Sequence, residues 1–125
     1  YGCIVGEMLS TGPLFPGETD IDQLHHVFML RGSPHAWLPL WPEAASLPDF
    51  HKISFSAMEP APLATLLPSA SLSALSFVDS LLLMPPSHRL SAPSALSHHW
   101  LLSRPSPAPL RHFPLPTLEV GRDGG

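Results

Sequence analysis

The sequence is poor in cysteine, in basic residues and in long apolar runs, and each shortage argues against a class of protein. Its single cysteine cannot form an internal disulfide, which is consistent with a reducing compartment. Its six Lys and Arg residues are scattered singly in a chain of net charge −4, so we expect no nucleic-acid partner. The longest nearly apolar run, 72–84, is too short to span a bilayer and contains Asp79, so we expect no membrane partner.

Proline is abundant by contrast, and its positions predict a chain of short helices. Seventeen prolines are about one residue in seven, well above the usual ~5%. Many of them lie between segments of helical periodicity, where proline ends a helix because it has no amide hydrogen to donate. We therefore expect a mainly α chain with at most one small domain, at residues 1–102. Five prolines within 105–116 predict a Pro-rich disordered tail at 103–125.

The first predicted helix, 3–9, is apolar around most of its surface. At 100° per residue, its apolar side chains cover roughly 240° of the circumference. These side chains are Cys3, Ile4, Val5, Met8 and Leu9. A helix of this kind is typical of a buried element, so we interpret Cys3 as a small buried hydrophobe rather than a nucleophile. Gly12 fits the left-handed position after the helix. Because Tyr1 falls within the helical pattern, we interpret the chain as a fragment or a processed piece.

Three more helices are indicated by their capping residues. Asp20, with Gln23 three residues later, has the spacing of a capping box, and Gly32 follows the last turn of that helix. Ser71 is the expected cap of a third helix, in which leucine and valine repeat at helical spacing. Ser91 is the expected cap of a short fourth helix.

The first two helices and the turn between them carry a recognisable motif. Residues 2–24 read GCIVGEMLSTGPLFPGETDIDQL. This run resembles the large lobe of Ser/Thr protein kinases of the cyclin-dependent branch. The family pattern there is Gly-Cys-Ile-x-x-Glu-Leu/Met, then Pro-Leu-Phe-Pro-Gly, then Asp-Gln-Leu. The resemblance implies that the chain is the C-terminal part of such a lobe and that its first helix is the buried centre of the lobe.

The rest of the chain extends the resemblance. Residues 35–70 have no clear period, as in the insert that these kinases carry between two large-lobe helices. Residues 47–55, LPDFHKISF, are similar to the cell-cycle-related kinases, a divergent group of the branch, as is Pro85 in place of an acidic residue. Residues 89–100 match the family pattern Arg-x-Ser/Thr-Ala-x-x-Ala-Leu-x-His-Pro-Tyr/Trp, except that His99 replaces the proline.

The resemblance implies ATP-dependent transfer of phosphate to protein Ser/Thr by the parent kinase, with ATP and magnesium as its cofactors. That chemistry needs a glycine-rich loop, a strand lysine, a catalytic aspartate, and Asp and Asn ligands for magnesium. The chain has no asparagine, its only lysine is Lys52 in the insert, and its eight glycines form no Gly-x-Gly-x-x-Gly. Residues 49–51, Asp-Phe-His, resemble the magnesium-binding Asp-Phe-Gly only superficially. We therefore expect no catalytic, cofactor-binding or metal-binding residue here and no activity from this segment alone.

Two residues are candidates for other roles. In the kinase family, the arginine at the position of Arg89 forms a buried ion pair with the glutamate of Ala-Pro-Glu, a motif that this sequence lacks. The alternative is a solvated arginine in a turn. Trp41 either packs the insert against the helices or is an exposed anchor for a partner protein.

We expect no metal site at the histidine pairs and no proline-rich ligand motif in the tail. Neighbouring side chains on a helix point about 100° apart, so the pairs 25–26 and 98–99 predict one packed and one solvated histidine each, not a metal site. The tail contains no Pro-x-x-Pro, so its composition favours a plain linker over a ligand for a proline-binding domain.

Two functional classes remain open from the sequence. The chain is either an inactive piece of a cyclin-dependent-type kinase or a non-catalytic interaction module that binds a partner through its second helix and insert. A cyclin-like or other regulatory protein is the expected partner. The expected location is the cytoplasm, the nucleus or both.

Overall fold

The computed structural model describes residues 1–103, which form six short helices. They are α1 (Gly2–Ser10), α2 (Asp20–Arg31), α3 (Pro34–Trp37), α4 (Leu72–Leu81), α5 (Ala92–Leu96) and α6 (His99–Leu102). Single turns of 3-10 helix lie at Leu38–Leu40, Pro42–Ser46, Leu63–Thr65 and Pro86–His88. No strand occurs in the described range, which confirms the mainly α fold class. The disordered tail predicted for 103–125 lies, apart from Ser103, outside the described residues.

Local capping chemistry sets most of the helix ends. The hydroxyls of Ser71 and Ser91 accept hydrogen bonds from backbone amides three residues later, as predicted for α4 and α5. The predicted cap of α2 is wrong by one residue. Thr19 has the extended backbone of a capping residue and its hydroxyl accepts from the amide of Asp22, whereas Asp20 is already helical. After α1, the left-handed residue is Thr11 (φ 64°) rather than Gly12.

The helix α1 is buried on one side only, which corrects the prediction of an entirely buried helix. Val5 faces the core, and Gly2 lies so close to α4 that an added Cβ would be 2.9 Å from the Cβ of Leu81. On the other side Ile4 and Met8 are 61% and 76% exposed, and Cys3 is exposed as well. The reason is that no described residue packs on that face, so Cys3 is not the buried hydrophobe that the sequence predicted.

Two apolar clusters hold the helices and the insert. The larger lies between α1, α4 and the last two helices, and its buried members are Val5, Leu14, Leu30, Leu63, Leu67, Phe77, Val78 and Ala95. The smaller is centred on Phe28, Trp37 and Ala44, where α2 meets the insert. The insert itself consists of short turns, as predicted for residues 35–70. None of the helices in residues 1–103 is long and apolar enough to cross a membrane.

One ion pair connects α2 to α4. The guanidinium of Arg31, at the end of α2, contacts the carboxylate of Asp79 in α4. The Arg31 side chain is 14% exposed and the Asp79 side chain 50% exposed, so the pair closes the gap between the helices at the surface. The two residues lie 48 positions apart, so no local sequence pattern indicates this contact.

Candidate interaction surface

An apolar groove lies where α2 meets the insert. We call it the aromatic groove; its volume is about 460 Å³. Aromatic and aliphatic side chains form nearly all of its lining: Leu24, Phe28, Pro34, Trp37, Trp41, Leu47, Pro48, Phe50, Ile53, Phe55 and Met84, with Asp49 as the charged member. An open apolar concavity of this size with few polar groups is typical of a binding site.

The buried aromatic residues fix the shape of the groove. Trp37 is 7% exposed, and its indole Nε1 donates a hydrogen bond to the carbonyl of Gly32 at 3.1 Å. Phe28 lies beside it, and the ring of Phe55 meets the Phe28 ring edge to face with centroids 4.9 Å apart. Because these rings are held by packing and by a buried hydrogen bond, the groove has a rigid floor.

Trp41 packs on a neighbouring aromatic ring and also borders the aromatic groove. Its ring packs on Trp37, with centroids 5.7 Å apart and the planes inclined by 34°. The side chain is only half-buried and lines the aromatic groove. Within residues 1–103, no group accepts a hydrogen bond from its indole N–H. Docking of a partner at Trp41 stays a prediction.

Arg89 lies at the edge of the same region. It is exposed, its Nε donates to the carbonyl of Leu83 at 2.6 Å, and its Nη2 donates to the carbonyl of Met84 at 3.1 Å. No carboxylate in the described part of the chain pairs with it, and the predicted buried ion pair stays a prediction. Since Met84 lines the aromatic groove, Arg89 helps to position one wall of that groove.

Ser33 forms a contact that the sequence did not indicate. It is 2% exposed; its hydroxyl accepts from the amide of Met58 at 2.9 Å, and its own amide donates to the Met58 carbonyl at 2.9 Å. His35 Nδ1 lies 2.7 Å from the Ser33 hydroxyl, and His35 Nε2 lies 3.1 Å from Glu59. A serine nucleophile must be reachable and must have oxyanion donors nearby, and Ser33 is buried. The arrangement therefore joins the start of the insert to Met58 and closes the loop between them.

The histidine pairs behave as the sequence predicted. His98 and His26 are half-buried, and their neighbours His99 and His25 are exposed. Burial, and then the nearby charge of His99, lower the pKa of His98. Its Nδ1 accepts a hydrogen bond from the amide of Trp100 at 3.2 Å, which requires that this nitrogen be unprotonated.

Asp49 and Phe50, from the segment 49–51, line the aromatic groove. Asp49 is exposed and pairs with Lys52 on the surface, while Phe50 packs against Trp37 with centroids 6.5 Å apart. Among residues 1–103, no three His, Cys, Asp or Glu side chains come close enough to hold a metal ion.

Comparison with known proteins agrees with the motif analysis. No protein-family model matches the sequence. The chain is 44% identical to Cyclin-dependent kinase 20 of Homo sapiens over 115 residues, which is 92% of this chain and 33% of that protein. It is 45% identical to the Rattus norvegicus protein of that name over 120 residues, 96% of this chain and 34% of that protein. The Danio rerio protein is 41% identical over 115 residues, again 92% of this chain and 33% of that protein.

The matches cover nearly all of this chain but only about a third of each relative. The chain spans about a third of the length of the curated relatives that it matches. A match of 115 residues cannot fit within residues 1–103, so the similarity also extends into the Pro-rich tail. Over nearly its whole length, the chain is therefore similar to a segment of a cyclin-dependent-type protein kinase.

Proposed function

We propose that the chain is a segment of the large lobe of a cyclin-dependent-type Ser/Thr protein kinase, nearest to the cell-cycle-related group. The observation that supports this most is the identity of 44–45% to a third of Cyclin-dependent kinase 20 over more than 90% of the chain. The parent reaction is ATP-dependent transfer of phosphate to Ser/Thr of proteins, and the helices of this segment supply its scaffold.

A chimaeric kinase tests this assignment. The matching third of human Cyclin-dependent kinase 20 is replaced by the present chain, and phosphate transfer to a generic Ser/Thr substrate is measured. We expect a folded protein with ATP-dependent activity. The control has the same junctions and the original segment restored. A chimaera that fails to fold or to transfer phosphate, beside an active control, contradicts the assignment.

The segment alone is proposed to be catalytically incompetent. ATP and magnesium belong to the parent kinase, because the chain has no asparagine, no glycine-rich loop and a single lysine, Lys52, in the insert. Isothermal calorimetry with ATP and magnesium should therefore give no binding heat. Micromolar affinity for ATP contradicts this part of the proposal.

A second candidate is a non-catalytic interaction module, and the aromatic groove with its half-buried Trp41 favours it. In that case the chain binds a cyclin-like or other regulatory protein of the kinase, in the cytoplasm or the nucleus, and competes with the full kinase for it. Added in excess to an active kinase with its regulator, the chain should lower activity, and Trp41→Ala should abolish the effect. Inhibition that Trp41→Ala leaves unchanged contradicts docking at the groove.

A further inference from the structure

We propose that the aromatic groove is the docking site of the chain's own proline-rich segment, residues 105–116. The proposal rests on the groove and the tail alone, and it stands whether or not the chain serves as a kinase segment. The groove supplies an aromatic surface, the segment supplies prolines with interleaved apolar residues, and the two belong to one chain.

The groove has the chemistry that proline-rich peptides require. Its floor is formed by rigid aromatic rings, and its rim includes exposed Leu24, Leu47 and Ile53. Proline-rich segments dock in aromatic-lined grooves because they are already extended as polyproline II helices and lose little entropy on binding. The indole N–H of Trp41 faces no acceptor among residues 1–103 and can donate to a carbonyl of such a segment.

The segment has an apolar face that matches this groove even without a Pro-x-x-Pro motif. A polyproline II helix has three residues per turn, so in that conformation residues three apart share a face. In this sequence Pro107, Leu110, Phe113 and Pro116 fall on one face, with no polar residue among them. At about 3.1 Å per residue this face is about 28 Å long. Leu115 lies on another face, which makes it a natural control.

Charge favours the same pairing. Residues 1–103 carry eight acidic and three basic side chains. The stretch 104–116 carries Arg104 and Arg111 and no acidic residue. Opposite net charge increases the attraction between tail and body, although salt screens exposed charges.

The part of the tail before Leu110 serves as the linker to the groove. Leu110 lies seven positions after Ser103, and extended chain covers about 23 Å over that distance. A folded unit of about 100 residues has a radius of gyration of about 13 Å, so this reach is comparable with the size of the body. Attachment to the same chain also gives the segment an effective concentration on the order of millimolar.

A matched pair of tail variants in the full chain tests the proposal. The protein has three tryptophans, so a ¹⁵N-labelled sample gives three indole N–H signals, assigned with Trp41→Phe and Trp100→Phe. Leu110→Asp places a charge on the apolar face of the segment and should shift the Trp41 signal. Leu115→Asp makes the same change off that face and should leave the signal in place. A synthetic peptide of residues 104–118, added to the Leu110→Asp chain, should return the signal saturably.

Each other outcome overturns the proposal. If the Trp41 signal is the same in the unchanged chain and in both variants, or shifts equally in both variants, docking through this face is excluded. A Trp41 signal that depends on protein concentration assigns the groove to the tail of a second copy. If neither variant moves the Trp41 signal but a regulatory protein shifts it, the groove is assigned to that partner. Circular dichroism of both variants checks that the helices are unchanged.

Discussion

Arg89 holds the two carbonyl groups that follow α4, and its contribution in this chain is expected to be modest. Its guanidinium donates to Leu83 and Met84 from an exposed position. Arg89→Met keeps the apolar stem and removes both donors. We expect it to lower the free energy of unfolding by ~1 kcal/mol, because water replaces the lost partners at an exposed site. Urea denaturation of both proteins measures the difference.

The same substitution in the chimaeric kinase tests the predicted buried ion pair. There the glutamate of Ala-Pro-Glu is present, and loss of one partner of a buried pair costs about 3–5 kcal/mol. Equal losses in the two proteins contradict the buried pair. A loss close to zero in the present chain shows that the two carbonyl contacts of Arg89 do not stabilise it.

His98 should make the stability depend on pH in the weakly acidic range. Burial lowers its pKa below the ordinary value of 6.5, so the folded state favours the neutral ring. As the pH falls below about 6.5, the unfolded chain takes up a proton that the folded chain does not, and the free energy of unfolding decreases. The decrease stops below the pKa of the folded state. Urea midpoints between pH 8 and pH 5 measure the slope.

His98→Asn separates this histidine from the other titrating groups. Asparagine can still accept the hydrogen bond from the Trp100 amide, so the cap of α6 is kept while the titration is removed. The variant should reduce the slope. His99→Asn should retain most of it, because burial is the larger cause of the lowered pKa. An unchanged slope in His98→Asn contradicts the assignment.

At the scale of the element, the N-terminus of α2 allows two candidate capping residues to be compared. The Thr19 hydroxyl accepts from the Asp22 amide at 3.2 Å, and the side chain of Asp20 has no such contact. Thr19→Ala should therefore cost ~1 kcal/mol. Asp20→Ala removes only a favourable charge in the first turn, which is worth about 0.3–1 kcal/mol. Thermal denaturation of both variants gives the order, and a larger loss for Asp20→Ala contradicts the assignment of the cap to Thr19.

At the scale of the whole molecule, Ser33 joins the insert to the helices. Ser33→Ala removes the acceptor of the partly buried Met58 amide, so the insert should open more often. The only lysine, Lys52, lies in the insert with its side chain 70% exposed, so a lysine-specific protease reports on this segment alone. We expect cleavage at Lys52 to become about tenfold faster, equivalent to ~1.4 kcal/mol of opening free energy.

The matched control for this experiment is Ser56→Ala, an exposed serine of the same segment. It should leave the cleavage rate unchanged. Similar acceleration by both substitutions indicates a general loosening of the insert and contradicts a specific role for Ser33.

The parts of this structure that were predictable depend on neighbours in sequence. Ser71 was identified as a cap because a cap and its amide partner lie three residues apart. No local sequence pattern indicates the contact of Arg31 with Asp79, 48 residues away, or that of Ser33 with Met58, 25 residues away. The exposure of Ile4 was mispredicted for a related reason. Hydrophobic periodicity indicates which faces can be buried, but not whether another segment covers them.

Residues 34–57, the first part of the insert, form a loop whose two ends meet, and this makes the loop an exchangeable unit. Ser33 bonds to Met58, and the Ala61 amide donates to the Leu30 carbonyl at 3.1 Å, so the chain leaves and returns at one place. A loop closed in this way can be lengthened or replaced cheaply, since doubling its length costs only about 0.6 kcal/mol of closure entropy. Related chains can therefore acquire new binding preferences by diverging within residues 34–57, while the helices that support the loop remain as they are.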